Sequence, residues 1–345
     1  MFQKGTKRRL ALPPACSTTI SFIYTWTVSD VRPFLKHPNT HNCPNRLLPT
    51  LSFQQKLHFY ASKSPQNPPS LRLYQDSNTY MADTYLRKIF CRVEYLGAGY
   101  SGWQTQRNSP VRTISGALEG CLSAILPTEK CKKFILVGAS RTDAGVSAAG
   151  NAFHIKLYYA KEAVELPEKF FRLALNSQLG RNDHSIRILE TKEVPYGFHA
   201  QRTVGKVYRY CVTTDNSVFY QDRAMVIPTE LDVDLLKTAA KLLTGPIHAQ
   251  NFSKRHQETD PPERLIEAIT VETKGKEVNI SFQSAGFAWH QVRYMAGCLV
   301  ECGLHQITLD QVRSFATGRC SARPLLAPAA GLCLQRVEYD PFWGV

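Results

Sequence analysis

Proline interrupts the first eighty residues of this chain so often that no packed core is expected there. Nine of the twenty prolines lie in 1–80, and a proline inside a helix or strand removes a hydrogen-bond donor and fixes φ. The same stretch carries ten Lys or Arg against two acids, a composition that favours a solvated chain. We therefore expect 1–80 to be a disordered basic extension and the fold to form from 81–345.

Two interpretations of this extension stay open. An acid-poor, basic and hydroxyl-bearing segment is typical of an organelle transit peptide, which predicts a mitochondrial protein. Alternatively, Met81 begins a shorter form, the upstream residues are dispensable, and the protein is cytoplasmic or nuclear. The longest apolar-looking run, Cys16 to Val28, is shorter than the ~20 residues that span a bilayer, and it contains Ser17, Thr18, Thr19, Ser21 and Thr25. We therefore predict no transmembrane helix.

The rest of the chain has the periodicities of an α+β protein. Several predicted strands follow one another without a helix between them, which argues against a doubly wound parallel sheet. Strands are predicted at 87–95, 134–137, 153–157, 184–190, 206–213, 265–272, 277–283 and 332–339. Helices are predicted after Thr113, after Pro167, and over 232–243, 289–302 and 308–317.

Charge and cysteine content narrow the class of partner and of site. A formal net charge of +14 indicates a polyanionic partner. The clusters at 130–133 and 254–256 are candidates for contacting it, although either cluster taken alone is better explained as a solvated face. Ten cysteines with no CxxC pair and no regular spacing are typical of buried small apolar residues. Neither a disulfide framework nor a structural zinc site is indicated.

One glycine motif resembles a dinucleotide-binding loop without its context. Gly97–Gly102 matches the pattern GxGxxG after a predicted strand. Such a loop must open a helix so that free N–H groups face the pyrophosphate, yet the residues that follow are polar and end at Pro110. We predict a tight turn here and no dinucleotide cofactor.

The loop that contains Arg141-Thr142-Asp143 is the stronger candidate site. A carboxylate on a short loop between two core strands is held rigidly, and glycines at 138 and 145 would leave space for a substrate. The guanidinium of Arg141 is suited to a phosphate. The alternative is that Asp143 caps a turn and Arg141 is a solvated neighbour.

The chain resembles the TruA family of pseudouridine synthases from about 87 to 338. The longest match is Gly138–Val146, and the other motifs follow in the family order: Tyr95-Leu96-Gly97, Gly102-Trp103-Gln104, Leu175-Asn176, Phe198-His199-Ala200, Lys206–Tyr210, Phe287–Arg293 and Ala327–Leu332. The chain departs from the family at Leu96, where the family has Asp, and at Gln201, which separates Phe-His-Ala from Arg202. Among family members it is most similar to the eukaryotic pseudouridine synthase-like 1 branch.

This resemblance implies an enzyme that isomerises uridine to pseudouridine in RNA, with tRNA as the expected substrate and messenger RNA as the alternative. The reaction breaks the N-glycosidic bond, rotates the uracil and forms a C–C bond at C5 without redox change, so neither a cofactor nor a metal is expected. The resemblance also implies a homodimer. The implied pseudouridine synthase fold joins two sheet-and-helix halves, 81–205 and 206–345, into one antiparallel sheet with a catalytic cleft between them.

The resemblance assigns a role to five residues. Asp143 is the carboxylate that attacks C1′ or takes a proton from C2′, and Arg293 pairs with it. Tyr208 stacks on the extruded base, Arg141 fills the space of the flipped nucleotide, and Leu332 is an apolar wall. Taken alone, Tyr208 would be an ordinary strand aromatic, and Arg293 a surface arginine at a helix start, where the helix dipole disfavours a cation.

The competing hypothesis is a non-catalytic RNA-binding or RNA-chaperone protein that has kept the fold. The intact Arg-Thr-Asp motif, with Tyr208 and Arg293, favours the enzyme.

Overall fold

The computed structural model describes residues 84–106, 109–163, 166–182, 184–254 and 261–345. The strands are β1 (Thr84–Tyr95), β2 (Cys131–Gly138), β3 (Ser147–Ala160), β4 (Ile186–Glu193), β5 (Gly205–Thr213), β6 (Met225–Val226), β7 (Gly245–His248), β8 (Glu263–Ile266), β9 (Ala268–Lys274), β10 (Glu277–Ser284) and β11 (Leu332–Glu338). The helices are α1 (Ile114–Ile125), α2 (Glu168–Asn182), α3 (Val233–Leu242), α4 (Gln291–Gly303) and α5 (Leu309–Ala316). The predicted α+β class is confirmed.

Nine of the described strands form one sheet. Its main path runs β4-β1-β3-β11-β5-β10-β9, with β2 on β3 and β6 on β5. The pairings are antiparallel except β11 with β3 and β5 with β6, so the predicted sheet is mostly antiparallel. Strands from both sides of position 205 join in it. The division into halves at this position stays a prediction, and the extension 1–80 lies outside the described residues.

Side-chain caps explain where most helices begin. The hydroxyl of Thr113 accepts a hydrogen bond from the backbone N–H of Gly116 at 3.2 Å, which confirms the predicted start of α1. Asp232 caps α3 in the same way, and Thr308 forms a capping box at the start of α5. Helix α4 has no such cap. The residue before it, His290, has a left-handed backbone with φ of 67°.

The β1–β3 pair has two different faces. Ile89 of β1 lies opposite Ile155 of β3, and both are fully buried. The guanidinium of Arg87 on this same face lies 5.7 Å from the centroid of the Phe171 ring in α2, so this face is the one covered by helices. The opposite face carries Phe90, whose ring is covered by residues from the 195–200 segment and from the end of the described chain.

The region 245–274 differs from the predicted single strand at 265–272. Two strands, β8 and β9, are found there, and β8 pairs with β7 in a separate two-stranded sheet. Strand β7 was not predicted because Pro246 is usually a turn signal; proline is tolerated in an edge strand.

Six of the eight cysteines in the described ranges are buried, which confirms their predicted apolar role; Cys320 and Cys333 are half-buried. Among the helices in the described ranges, none has the length and apolar character that crossing a membrane requires.

Candidate active site

A buried polar network fixes the loop between β2 and β3. The hydroxyl of Tyr95 lies 2.8 Å from the hydroxyl of Thr142. Asn151 donates to the Tyr95 oxygen at 3.1 Å and to the Ser140 carbonyl at 3.0 Å. Buried networks whose members are all satisfied rigidify the backbone that they hold. The loop is therefore presented in one conformation, with Asp143 at its centre.

The glycine motif at 97–102 packs against the backbone of this loop. It forms a turn in which Tyr100 N–H donates to Gly97 at 3.0 Å, which confirms the predicted tight turn. Gly102 has φ of 91°, and a Cβ there would lie 2.8 Å from the Thr142 carbonyl oxygen. Trp103 N–H donates to that same oxygen at 3.0 Å. Because Gly102 has no side chain, the backbone at 102–103 can approach the backbone of Thr142 closely enough to form this hydrogen bond.

The expectation that Gly138 leaves space for a substrate is wrong. A Cβ at Gly138 would lie 2.3 Å from Nε1 of Trp103, so the missing side chain admits the buried indole.

Three side chains around the start of α4 surround the carboxylate of Asp143. Arg293 Nη1 lies 3.5 Å from Oδ2, and His290 Nε2 lies 3.3 Å from the same oxygen. Trp289 Nε1 donates to Oδ1 at 3.2 Å. The side chain of Asp143 is engaged with α4 and does not cap its own turn. Arg293 also donates from Nε to the Ala327 carbonyl at 2.8 Å, which fixes its guanidinium.

His290 contributes a hydrogen bond without a charge. Burial lowers its pKa below the ordinary 6.5, Arg293 and Lys254 lower it further, and Asp143 opposes them. The ring is therefore neutral at pH 7 and can donate from Nε2 to Asp143. Its Nδ1 is buried and has no hydrogen-bond partner among the described residues. Arg293 remains the cation in direct contact with the carboxylate.

Tyr208 forms a fixed aromatic wall. Its hydroxyl lies 2.8 Å from that of Ser140, and its ring meets Phe287 edge-on, with 5.4 Å between centroids. Burial raises the pKa of Tyr208 to about 12, so the phenol is protonated at neutral pH. Leu332 is buried at the start of β11. Arg141 is exposed and has no ion pair or hydrogen bond with the described residues.

Asp143 and the three side chains that contact its carboxylate line one cleft of about 870 Å³, within the range of small-molecule sites. The lining includes every site residue that was predicted: Asp143, Arg293, Tyr208, Arg141 and Leu332. The structure brings them together, and their roles in a reaction stay predictions.

Trp289, His290 and Lys206 also line the cleft, and the sequence predicted a role for none of them. Trp289 and His290 occupy unspecified positions of the motif Phe287–Arg293, so only their proximity to Arg293 could have suggested them. Lys206 lies in the matched motif Lys206–Tyr210, in which only Tyr208 was assigned a role. Burial lowers the pKa of Lys206, and its Nζ donates to the Ala139 carbonyl at 3.1 Å.

Comparison with known proteins agrees with this geometry. A family model described as "tRNA pseudouridine synthase" matches residues 239–340. The chain is 32% identical to tRNA pseudouridine synthase A of Bradyrhizobium diazoefficiens, over 72% of this chain and 97% of that protein. It is 34% identical to the protein of that name from Akkermansia muciniphila, over 74% and 96%, respectively. It is 32% identical to the one from Listeria monocytogenes, over 72% and 97%. The predicted resemblance is thus confirmed at the level of the family, and the chain belongs to the tRNA pseudouridine synthases.

Proposed function

We propose that the protein isomerises uridine to pseudouridine in tRNA and that Asp143 is the catalytic carboxylate. The observation that carries the proposal is the position of Asp143 in the cleft, 3.5 Å from the guanidinium of Arg293. The name shared by the relatives, tRNA pseudouridine synthase A, supports tRNA as the substrate. A non-catalytic RNA-binding protein would not need this pair, because a partly buried carboxylate repels phosphate.

The arrangement suits either route that the chemistry allows. In one, a carboxylate oxygen bonds to C1′ as the bond from C1′ to N1 breaks, and it leaves when C1′ bonds to C5. In the other, the carboxylate takes the C2′ proton as the bond from C1′ to N1 breaks and a C1′=C2′ double bond forms, and it returns the proton to C2′ when C1′ bonds to C5. Both routes conserve atoms and electrons, with the C5 proton lost at the end and N1 protonated. The donors from Trp289, His290 and Arg293 hold the carboxylate in place for either one.

The remaining cleft residues have roles in binding. Tyr208, held by Ser140 and Phe287, offers a fixed ring against which an extruded base can lie, and stacking of this kind is worth ~1–3 kcal/mol. The guanidinium of Arg141 has no partner among the described residues and can contact a phosphate or occupy the vacated position in the RNA stack. Leu332 closes the apolar side.

Replacement of Asp143 tests the proposal. Asp143→Asn keeps the shape of the side chain and removes its charge, so we expect a folded, RNA-binding protein that forms no pseudouridine. Asp222→Asn, an exposed aspartate, is the matched control and should keep full activity. Both are measured by pseudouridine yield on an unmodified tRNA transcript, with a thermal melt to confirm folding. Retention of a few per cent of turnover by Asp143→Asn would make the assignment wrong.

We also propose three finer properties, which rest on the sequence. The chain is assigned to the eukaryotic pseudouridine synthase-like 1 branch and is inferred to be a homodimer, both from the family resemblance. The basic, acid-poor composition of 1–80 supports a mitochondrial location. Messenger RNA is the alternative substrate.

Base-resolution mapping of pseudouridine in total and organellar RNA, from cells with and without the protein, tests substrate and compartment together. Sites lost only from cytosolic RNA would reject the mitochondrial location. Sedimentation of the purified protein tests the dimer, and a monomer at micromolar concentration would reject it.

A further inference from the structure

A cluster of basic side chains lies on the sheet face opposite the helices, beside the cleft. We call it the basic cluster: Lys88 of β1, Lys156 of β3, and His199 and Arg202 of the segment before β5. Lys88 and Lys156 are direct partners in the antiparallel register. Side chains at such positions lie about 5 Å apart at Cβ, and like charges there destabilise a sheet. An ion pair or an apolar pair would be more stable at this position.

The cluster affects its own members electrostatically. Burial lowers the pKa of Lys88, and the charges of Lys156 and Arg202 lower it further. Burial also lowers the pKa of His199, and the charges of Lys156, Arg202 and Lys88 lower it further. No carboxylate contributes to either shift. The electrostatic potential at the basic cluster is therefore positive, which favours the binding of an anion.

Neighbouring residues show that this lack of acids is local. On the same strand, Arg87 pairs with Glu193 at 2.9 Å and Arg92 with Glu190 at 3.4 Å. The side chains of Lys156 and Arg202 form no hydrogen bond or ion pair with any described residue.

Lys88, buried beneath them, uses its ammonium to hold backbone. It donates to the carbonyls of Tyr196 and, at 3.0 Å, of Phe198. A second buried residue, His154, accepts from Ala200 N–H at 3.1 Å, while its Nε2 has no partner among the described residues. The segment that carries His199 and Arg202 is thus fixed from below. The side chains of His199 and Arg202 therefore project from a backbone that is held in one position.

An exposed aromatic ring completes the surface. Tyr196 is 78% exposed, and its ring centroid lies 4.8 Å from Lys88 Nζ. Nucleic acids that are not in duplex form bind to such combinations of cations and aromatic rings, because phosphates pair with the cations and bases stack on the ring. The surface is also continuous with the cleft, since Gln201, between His199 and Arg202, lines it.

We propose that Lys156, His199 and Arg202 bind a backbone phosphate of the RNA outside the modified nucleotide, and that Tyr196 stacks on an unpaired base beside it. Lys88 is a positioning residue for this surface. The inference deepens the proposed function and rests on it for the identity of the RNA. The site sets affinity for the substrate and takes no part in the chemical step.

The first test removes charge. The double variant Lys156→Gln with Arg202→Gln is compared with Lys241→Gln plus Lys274→Gln, two exposed lysines on α3 and β9. Affinity for an unmodified tRNA transcript is measured against salt. Each phosphate contact contributes roughly 0.7–0.9 to the log–log slope, so the first variant, which loses the contact with one phosphate, should lose roughly that amount from the slope while the control keeps the wild-type value. Equal slopes in the two variants would overturn the phosphate site.

The second test removes the ring. Tyr196→Ser should weaken binding by roughly 5- to 100-fold, the range expected for one stacked base, without changing the salt slope. Phe219→Ser, at a residue 81% exposed, should keep wild-type affinity. Unchanged binding by Tyr196→Ser would overturn the stacking part of the proposal.

Turnover separates this inference from the proposed function. At saturating tRNA, Lys156→Gln with Arg202→Gln should keep the wild-type kcat and raise KM. A lower kcat with unchanged affinity would overturn the inference. A wild-type protein that forms no pseudouridine in any RNA would instead reject the proposed function, and the salt slopes would still decide whether the cluster binds RNA.

Discussion

At the scale of single residues, the unusual feature is how many donors Asp143 receives from one short segment. Trp289 and His290 precede the helix that carries Arg293, and all three reach the carboxylate. The left-handed backbone of His290 is the local cost, of order 1–3 kcal/mol for a residue other than glycine. It turns the chain so that these neighbouring side chains converge on one carboxylate.

Replacement of Tyr208 separates stacking from charge. Tyr208→Ala should abolish turnover and leave the salt dependence of RNA binding unchanged, because the phenol neutralises no phosphate. Tyr208→Phe keeps the ring and should keep most of the yield. Arg141→Ala should lower both the yield and the salt slope. A Tyr208→Ala protein that melts normally and gives a normal pseudouridine yield would show that the base does not lie against this ring.

At the scale of the elements, strand β3 carries a histidine that folding keeps neutral. His154 is fully buried. Burial, with the charges of Lys88, His199 and Lys156, lowers its pKa from 6.5 to about 3. The unfolded chain binds a proton there below pH 6.5, whereas the folded protein does not. The contribution of His154 to the free energy of unfolding is therefore lost progressively as pH falls from 6.5 towards 3.

His154→Asn should remove this part of the acid sensitivity. The side-chain oxygen of Asn can accept from Ala200 N–H as Nδ1 does, and it does not titrate. Between pH 7.5 and pH 5, the wild type should lose about 2 kcal/mol more of its free energy of unfolding than the variant. Urea denaturation at the two pH values measures the difference. Equal losses would show that His154 is not held neutral.

The elements also show what the sequence can predict. Most of the strands and helices follow from periodicity and caps, as at Thr113, and the resemblance placed Asp143 and Arg293 in one site. The pairing of Lys88 with Lys156 could not be predicted, because it depends on the register between β1 and β3, which a single strand does not specify. Trp289 and His290 were missed because the approach of α4 to the β2–β3 loop is a tertiary contact.

At the scale of the whole molecule, the boundary at Met81 stays a prediction, and the first described strand, β1, begins at Thr84. A protein that starts at Met81 should melt at the same temperature as the full chain and keep its rate on a short RNA. The control starts at Gly97 and lacks β1, which pairs with both β3 and β4, so it should not fold. A drop of several degrees for the Met81 protein would show that 1–80 packs on the core.

Strand β11, the last described strand, lies between β3 and β5 in the middle of the sheet. On the ribosome, the two strands that flank it emerge long before it does, and neither has its final neighbour until residues 332–338 are made. Contacts of such long sequence separation form slowly, and open strand edges invite pairing with other chains. We therefore expect the facing edges of β3 and β5 to stay open in the nascent chain until β11 has left the ribosome and paired with both.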